Sequence, residues 1–253
     1  MDFYRPTFTP AALQPPQDRL RSKLGGAPWG FPEAGWPRCP ACSYPTSFVA
    51  QLVHQPPMID LGQDHGVLHL FFCANLLCLA YGDPSSCLAI VLDGDQLGSG
   101  ETRQPPDDDG DTIVNDELWL SGWEAHGDAV RPEQVAAFFD DRAHMALPDE
   151  IAHPFKFHSR WNTKTNGVPY WTGHGVTLDP AHISCPPYEF LLQICCCVYV
   201  DRLRADADAD AAGSPVDADE LYVDFVNFGS DGTGFIFIDR TASPPGVRWF
   251  WSR

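Results

Sequence analysis

The stretch that decides the fold is Lys23-Leu-Gly-Gly-Ala-Pro-Trp-Gly-Phe31, because its plan returns at Lys164-Thr-Asn-Gly-Val-Pro-Tyr-Trp-Thr172. Lys23 and Lys164, Gly26 and Gly167, Pro28 and Pro169, and Trp29 and Tyr170 are each 141 residues apart. Downstream, residues 45–52 (PTSFVAQL) align with 187–194 (PYEFLLQI), and Pro45/Pro187, Phe48/Phe190 and Gln51/Gln193 are all offset by 142. Further on, 65–73 (HGVLHLFFC) resembles 231–239 (DGTGFIFID) at an offset of 166, and the 24 extra residues span the acidic stretch 205–220. Spaced agreements of this kind predict an internal duplication. Each half-domain has a Gly-x-Pro-aromatic turn, an apolar strand ending in Gln, and then an aromatic strand. A Gln inside such a strand needs hydrogen-bond partners, and Gln51 and Gln193 are expected to bond across a pseudo-two-fold interface in a structural role.

Around this frame the chain reads as strands and turns. Ser47–Val53, Val67–Cys73, Ser86–Leu92, Tyr188–Val200, Leu221–Phe228 and Phe235–Asp239 are short, rich in β-branched or aromatic residues, and bounded by turn formers. One helix is expected at about 131–145. Pro132 suits its first turn, Val135, Phe138, Phe139 and Arg142 fall at helical spacing, and Pro148 limits it. The Pro- and Gln-rich residues 1–21 read as a flexible N-terminal arm. The acidic segments 104–112 and 205–220 read as loops. The expected fold class is therefore α+β, β-dominated. A single domain over 22–253 is built from two repeats, about 22–103 and 160–253, with the helix in the segment that joins them.

The 253 residues carry 16 Lys+Arg against 34 Asp+Glu, a net charge of −18. Such a chain repels phosphate backbones and anionic lipid, which argues against nucleic acid and membrane surfaces as partners and favours a basic protein or a cation. No apolar run is long enough to span a bilayer, and the first 20 residues lack the apolar core of a signal peptide. A cytoplasmic location is expected.

Nine cysteines suit no simple disulfide framework, and several are clustered. Cys39-Pro-Ala-Cys42 is a C-x2-C knuckle. Cys73 and Cys78 add two thiols in a wider C-x4-C spacing. Two such turns can close a tetrahedron of soft ligands with no position left for water, so the expected cofactor is one structural zinc in a zinc-ribbon-like knuckle. Four thiolates suit iron as well. The second repeat has only Cys185 at the matching place. Cys195, Cys196 and Cys197 are consecutive in an apolar strand, where neighbours point to opposite faces, so they are expected to be separate buried thiols; Cys87 reads the same way.

Other motifs carry less. Asp206, Asp208 and Asp210 start like a calcium loop, but Ala211 and Asp217 stand where Gly and Glu are required. The glycine-rich 229–234 precedes a strand, so Asp231-Gly232 reads as a hairpin turn and not a phosphate cradle. His65 and His174 sit beside glycines in turns. Trp29, Trp36, Tyr170 and Trp171 flank the Gly-Pro turns and plug the sheet ends, the alternative being a groove for a peptide.

Residues 22–52 (SKLGGAPWGFPEAGWPRCPACSYPTSFVAQL) resemble the opening signature of the YwqG-like family, a bacterial domain of unknown function, and the likeness extends through GVPYWT, EFLLQI and DGTGFIFID to the C-terminus. A more distant similarity is to the programmed cell death protein 2 family, whose members are regarded as chaperones for a ribosomal protein. That resemblance implies that Cys39, Cys42, Cys73 and Cys78 are zinc ligands. The lone Cys185 departs from its paired cysteines, and its extra zinc finger has no counterpart here. Taken together, the expected function is a non-enzymatic protein-binding module, a chaperone or adaptor for a basic protein. The alternatives are an immunity-type protein that neutralises a toxin, and an enzyme with its site between the two repeats.

Overall fold

A computed structural model of the chain describes residues 1–9, 13–81, 83–106, 114–154, 163–171, 187–201, 220–224, 226, 228–229 and 232–252. The strands in chain order are β1 (Asp2–Thr7), β2 (Lys23–Leu24), β3 (Ser47–Val53), β4 (Val67–Phe72), β5 (Cys87–Leu92), β6 (Leu118–Trp119) and β7 (Gly122–Gly127), then β8 (Lys164–Asn166), β9 (Glu189–Cys195), β10 (Cys197–Asp201), β11 (Glu220–Asp224), β12 (Thr233–Asp239) and β13 (Gly246–Ser252). Two short helices, α1 (Asp141–Met145) and α2 (Asp149–Ala152), lie between β7 and β8. One antiparallel sheet has the order β5-β4-β3-β2-β6, the other β13-β12-β9-β8-β1-β7, and β10 pairs with β11 in a ribbon of its own. The fold is β-dominated, with few helices.

The central strands read as nearly continuous apolar runs because both of their faces are covered. In β4, Leu68, Leu70 and Phe72 join the largest core cluster, together with Ile236 and Ile238 of β12, Leu192 and Ile194 of β9, and Trp249 of β13. That cluster is the layer between the two sheets. The alternate residues turn the other way: Phe71 packs with Phe31, Trp36 and Phe48, while Phe235 and Phe237 pack with Trp171, Phe190 and Phe250. The aromatics of the Gly-Pro turns thus act as plugs, with Trp36, Tyr170 and Trp171 buried. The Trp36 indole N–H also donates to the Thr46 carbonyl at 3.0 Å, and that of Trp171 to the Phe138 carbonyl at 2.8 Å.

Three expectations are corrected. Residues 2–7 are not part of a loose arm: β1 lies between β7 and β8, with Phe3 fully buried. The Pro- and Gln-rich composition of the following residues masks this strand, and Pro6 is tolerated because β8 pairs only with Phe3 and Tyr4. The expected helix over 131–145 is instead a 3-10 helix over Pro132–Phe139 followed by the separate α1. Val135 and Phe138, three apart, share one face of a 3-10 turn, and extended Asp140 ends that turn and caps α1 by accepting from the Ala143 N–H. Tyr188–Val200 is two strands, β9 and β10, which separate at Cys196 and belong to different sheets. The segment that joins the two expected repeats also gives one strand to each sheet, β6 beside β2 and β7 beside β1. Asp206, Asp208 and Asp210, Cys185, His174, Asp231 and residues 107–113 lie outside the described residues.

Candidate metal centre

The knuckle is a tight turn bridged at its base by Arg38 and Pro45. The Cys39 N–H donates to the Tyr44 carbonyl at 2.9 Å and the Ser43 N–H to the Cys39 carbonyl at 2.8 Å, with Ser43 in the left-handed region at φ 61°. Arg38 closes the turn from outside by donating to the Ser43 carbonyl. The second pair of cysteines is carried by the exit of β4. The Cys73 N–H donates to the Ser86 carbonyl at the start of β5, and Asn75 accepts from the Leu77 N–H through its side chain and from the Cys78 N–H through its carbonyl. This Asx turn takes up the two extra residues of the C-x4-C spacing.

The four thiols converge. Sγ of Cys39 is 3.8 Å from that of Cys78, Sγ of Cys42 is 3.6 Å from that of Cys73, and all four lie within 4.8 Å of one another. Zinc–thiolate bonds of about 2.3 Å in a regular tetrahedron place sulfurs roughly 3.8 Å apart, so the quartet has the dimensions of a tetrathiolate site. Cys39, Cys73 and Cys78 are buried, and Cys42 is half-buried. Backbone N–H groups two residues further on, from Tyr44, Asn75 and Ala80, point at the sulfurs of Cys42, Cys73 and Cys78. The Asn75 amide is also 3.9 Å from the Cys42 sulfur. Such donors hold thiolates. Burial, aided by the facing thiols, pushes Cys73 and Cys78 up. Burial also acts on Cys42, but the Tyr44 N–H and the neighbouring thiols outweigh it and bring Cys42 down. Metal binding at such a quartet takes the sulfurs as thiolates and releases their protons. The arrangement can hold one metal ion through four sulfurs.

A second group of thiols was not expected. Cys195, Cys196 and Cys197 do not point apart: their sulfurs lie within 4.8 Å of one another, 3.5 Å for Cys195–Cys197 and 4.0 Å for Cys195–Cys196. The alternation argument fails because the chain is not a regular strand at Cys196. There its N–H donates to the Gly232 carbonyl and its carbonyl accepts from Val226.

The two strand glutamines also do something other than expected. They do not bond to each other. Gln51 Oε1 accepts from the Trp29 N–H at 2.8 Å, and its amide donates to the Arg19 and Arg21 carbonyls. Gln193 Oε1 accepts from the Tyr170 N–H, also at 2.8 Å. Each glutamine thus pins the aromatic of its own Gly-Pro turn.

Beside each glutamine is a buried lysine that carried no functional reading in the sequence. Lys23, opposite Gln51, donates to Glu117 at 2.5 Å and to the Ala27 carbonyl at 2.6 Å. Lys164, opposite Gln193, pairs with Asp128 at 3.2 Å, both side chains being fully buried. Asp128 also accepts from the Tyr170 hydroxyl and from the Val168 N–H. Burial lowers Lys23, and it lowers Lys164 to about 8, against the pull of their carboxylates. The signal for both was the lysine heading each repeat inside an apolar context. Their carboxylates, distant in sequence, left none.

An open cleft of about 230 Å³ at the junction of the sheets is lined by Arg21, Ser22, Val53, His54, Gln55 and Trp123. Its polar groups are engaged in the fold: His54 Nδ1 accepts from the Leu61 N–H, and Gln55 Oε1 accepts from the Trp123 indole. Neither His69 nor Lys164, both fully buried, lines it. Among the described residues no helix is long and apolar enough to cross a membrane. No family model, curated protein or solved structure matches the chain.

Proposed function

We propose that this chain is a non-enzymatic protein-binding module, a chaperone or adaptor whose docking surface is carried by a structural zinc. The observation that supports it best is a group of leucines at the metal loop. Leu76, Leu77 and Leu79 are 75%, 91% and 104% exposed. Two of them lie between Cys73 and Cys78, and the third follows immediately. Clustered exposed leucines on a surface this rich in acid mark an interaction site. The net charge of −18 favours a basic protein partner by speeding encounter.

Zinc is the ion proposed for the quartet, since four sulfurs leave no open position and the sulfur spacing suits its bond length. The proposal includes an internal duplication and membership of the YwqG-like family. Three parallels support the duplication. The strand orders β5-β4-β3-β2 and β13-β12-β9-β8 correspond, Lys23–Gln51 and Lys164–Gln193 are both cross-strand pairs, and both lysine strands run into positive-φ turns at Gly26 and Gly167.

The test is a pull-down from the source cell at low and high salt, with Leu77→Asp/Leu79→Asp as the control. One basic protein held stoichiometrically at low salt, and lost both at high salt and with the double variant, is the expected result. Retention of nothing at either salt, or equal retention by the variant, overturns the reading.

A further inference from the structure

We propose that Cys195, Cys196 and Cys197 form a second metal site, distinct from the quartet, that takes one Cu(I) ion in trigonal thiolate coordination. The argument starts from the break in the strand. Were β9 to continue regularly into β10, Cys196 would face away from its neighbours. Instead the chain kinks there, fixed by the Cys196 N–H on the Gly232 carbonyl and the Val226 N–H on the Cys196 carbonyl. The kink turns the middle thiol toward the other two. The result is a triangle of sulfurs with two sides of 3.5 and 4.0 Å and the third within 4.8 Å. An ion at the centre of a triangle with sides near 4 Å sits roughly 2.3 Å from each sulfur, the length of a metal–thiolate bond.

The class of ion follows from what surrounds the triangle. No fourth His, Cys, Asp or Glu joins it among the described residues. Zinc or ferrous iron would complete a tetrahedron with water. Cys195 and Cys196, however, belong to the core cluster that also holds Ile194, Val198, Val226 and Phe228, an apolar setting that disfavours a bound water as fourth ligand. A soft monovalent ion that is satisfied by three thiolates needs no such water, and thiolates select Cu(I) on softness. Binding replaces three S–H bonds by three Cu–S bonds and releases three protons, leaving the complex with two negative charges. Half-buried Cys197 is the side from which the ion enters. Copper keeps the +1 state throughout, so no oxidant or reductant takes part.

The experiment uses the full chain carrying one equivalent of zinc, titrated anaerobically with Cu(I) buffered by bicinchoninate. Zinc release is followed with a chromophoric chelator, and the copper environment by X-ray absorption. The expected result is one equivalent of Cu(I) bound with zinc retained and a first shell of three sulfurs. That equivalent disappears in Cys197→Ser, a partly exposed position, and persists in Cys87→Ser, a buried thiol outside both clusters. The proposal is overturned by copper uptake only in step with zinc release, by a second equivalent of zinc filling the site, or by an equivalent of copper that survives in Cys197→Ser. The wild-type titration decides by itself if the variant fails to fold.

Discussion

His69 offers the sharpest test of how the outer faces of the sheets are built. It stands opposite Gln51 on β4, as Phe235 stands opposite Gln193 on β12. Its ring is fully buried against Phe31 at 5.1 Å and near Phe48 at 6.3 Å, and neither nitrogen makes a well-formed hydrogen bond. Burial pushes the imidazole down to about 3, against the pull of the Trp29 backbone. An unfolded chain titrates near 6.5. Below that pH the unfolded state takes up a proton that the folded state refuses, so this contribution to stability is intact above 6.5 and is lost as pH falls toward 3. The loss is about 1.4 kcal/mol between pH 7.5 and 5.5 and about 5 kcal/mol at its limit. His69→Phe removes it. Any packing gain or strain from the larger ring is a constant offset, so the quantity to read is the change with pH. Urea unfolding of both proteins at pH 7.5, 6.5 and 5.5 should show the advantage of the variant growing by about 1.4 kcal/mol. A difference that stays flat over that range would falsify the claim that burial keeps His69 neutral.

Three further substitutions probe the frame. Gln51→Leu leaves the Trp29 N–H and the Arg19 and Arg21 carbonyls without their partner and should cost about 2–4 kcal/mol in urea unfolding; a cost below about 0.5 kcal/mol would contradict the pinning role. Lys164→Met strands the Asp128 carboxylate in the interior with Tyr170 and Val168 as its remaining donors among the described residues, and should cost about 3–5 kcal/mol, part of which returns in Lys164→Met/Asp128→Leu. Gly167→Ala would drive a methyl into the Asp128 carboxylate at φ +68°, so a fall in melting temperature well beyond that of Gly127→Ala, where the added methyl meets open space, is expected.

The strands were legible where the apolar run is uninterrupted. β3 and β4 fall where the apolar runs Ser47–Val53 and Val67–Cys73 put them, and the cysteine quartet assembles because β3 and β4 are neighbours, a pairing that short connections favour. What stayed hidden depends on contacts far apart in sequence. β1 finds its partners at Gly122–Gly127 and Lys164–Asn166, and no local pattern in Asp2–Thr7 announces them. Glu117 and Asp128 carry no local signal of the partners that the fold gives them in Lys23 and Lys164. At Cys196 the periodicity rule held for an ideal strand, and the chain departs from one there because its backbone is drawn to Gly232 and Val226. Local propensity describes a regular element well and its interruptions poorly.

The exposed leucines and the cysteine quartet are best understood as one device, and that makes a last prediction. A fully buried leucine gains about 1.5–3 kcal/mol over an exposed one. The drive for Leu76, Leu77 and Leu79 to fold back onto the protein is therefore large, and the cysteines at 73 and 78 limit it by fixing both ends of the short loop. The cysteine cluster is separate from the core between the sheets. Removing the metal should then release the loop without melting the sheets. Cys39→Ser or treatment with a strong chelator is expected to leave the far-UV circular dichroism of the sheets in place. The leucines should lose their fixed presentation, read as a change in protease cleavage within 74–81 and as loss of any partner recovered in the proposed pull-down. Cooperative loss of the sheets on metal removal would mean that the quartet is part of the folding nucleus and not a platform set upon it. An unchanged cleavage pattern would mean that the turn bonds of Asn75 and Ser86 hold the loop by themselves, and the metal would then have no part in presenting the leucines.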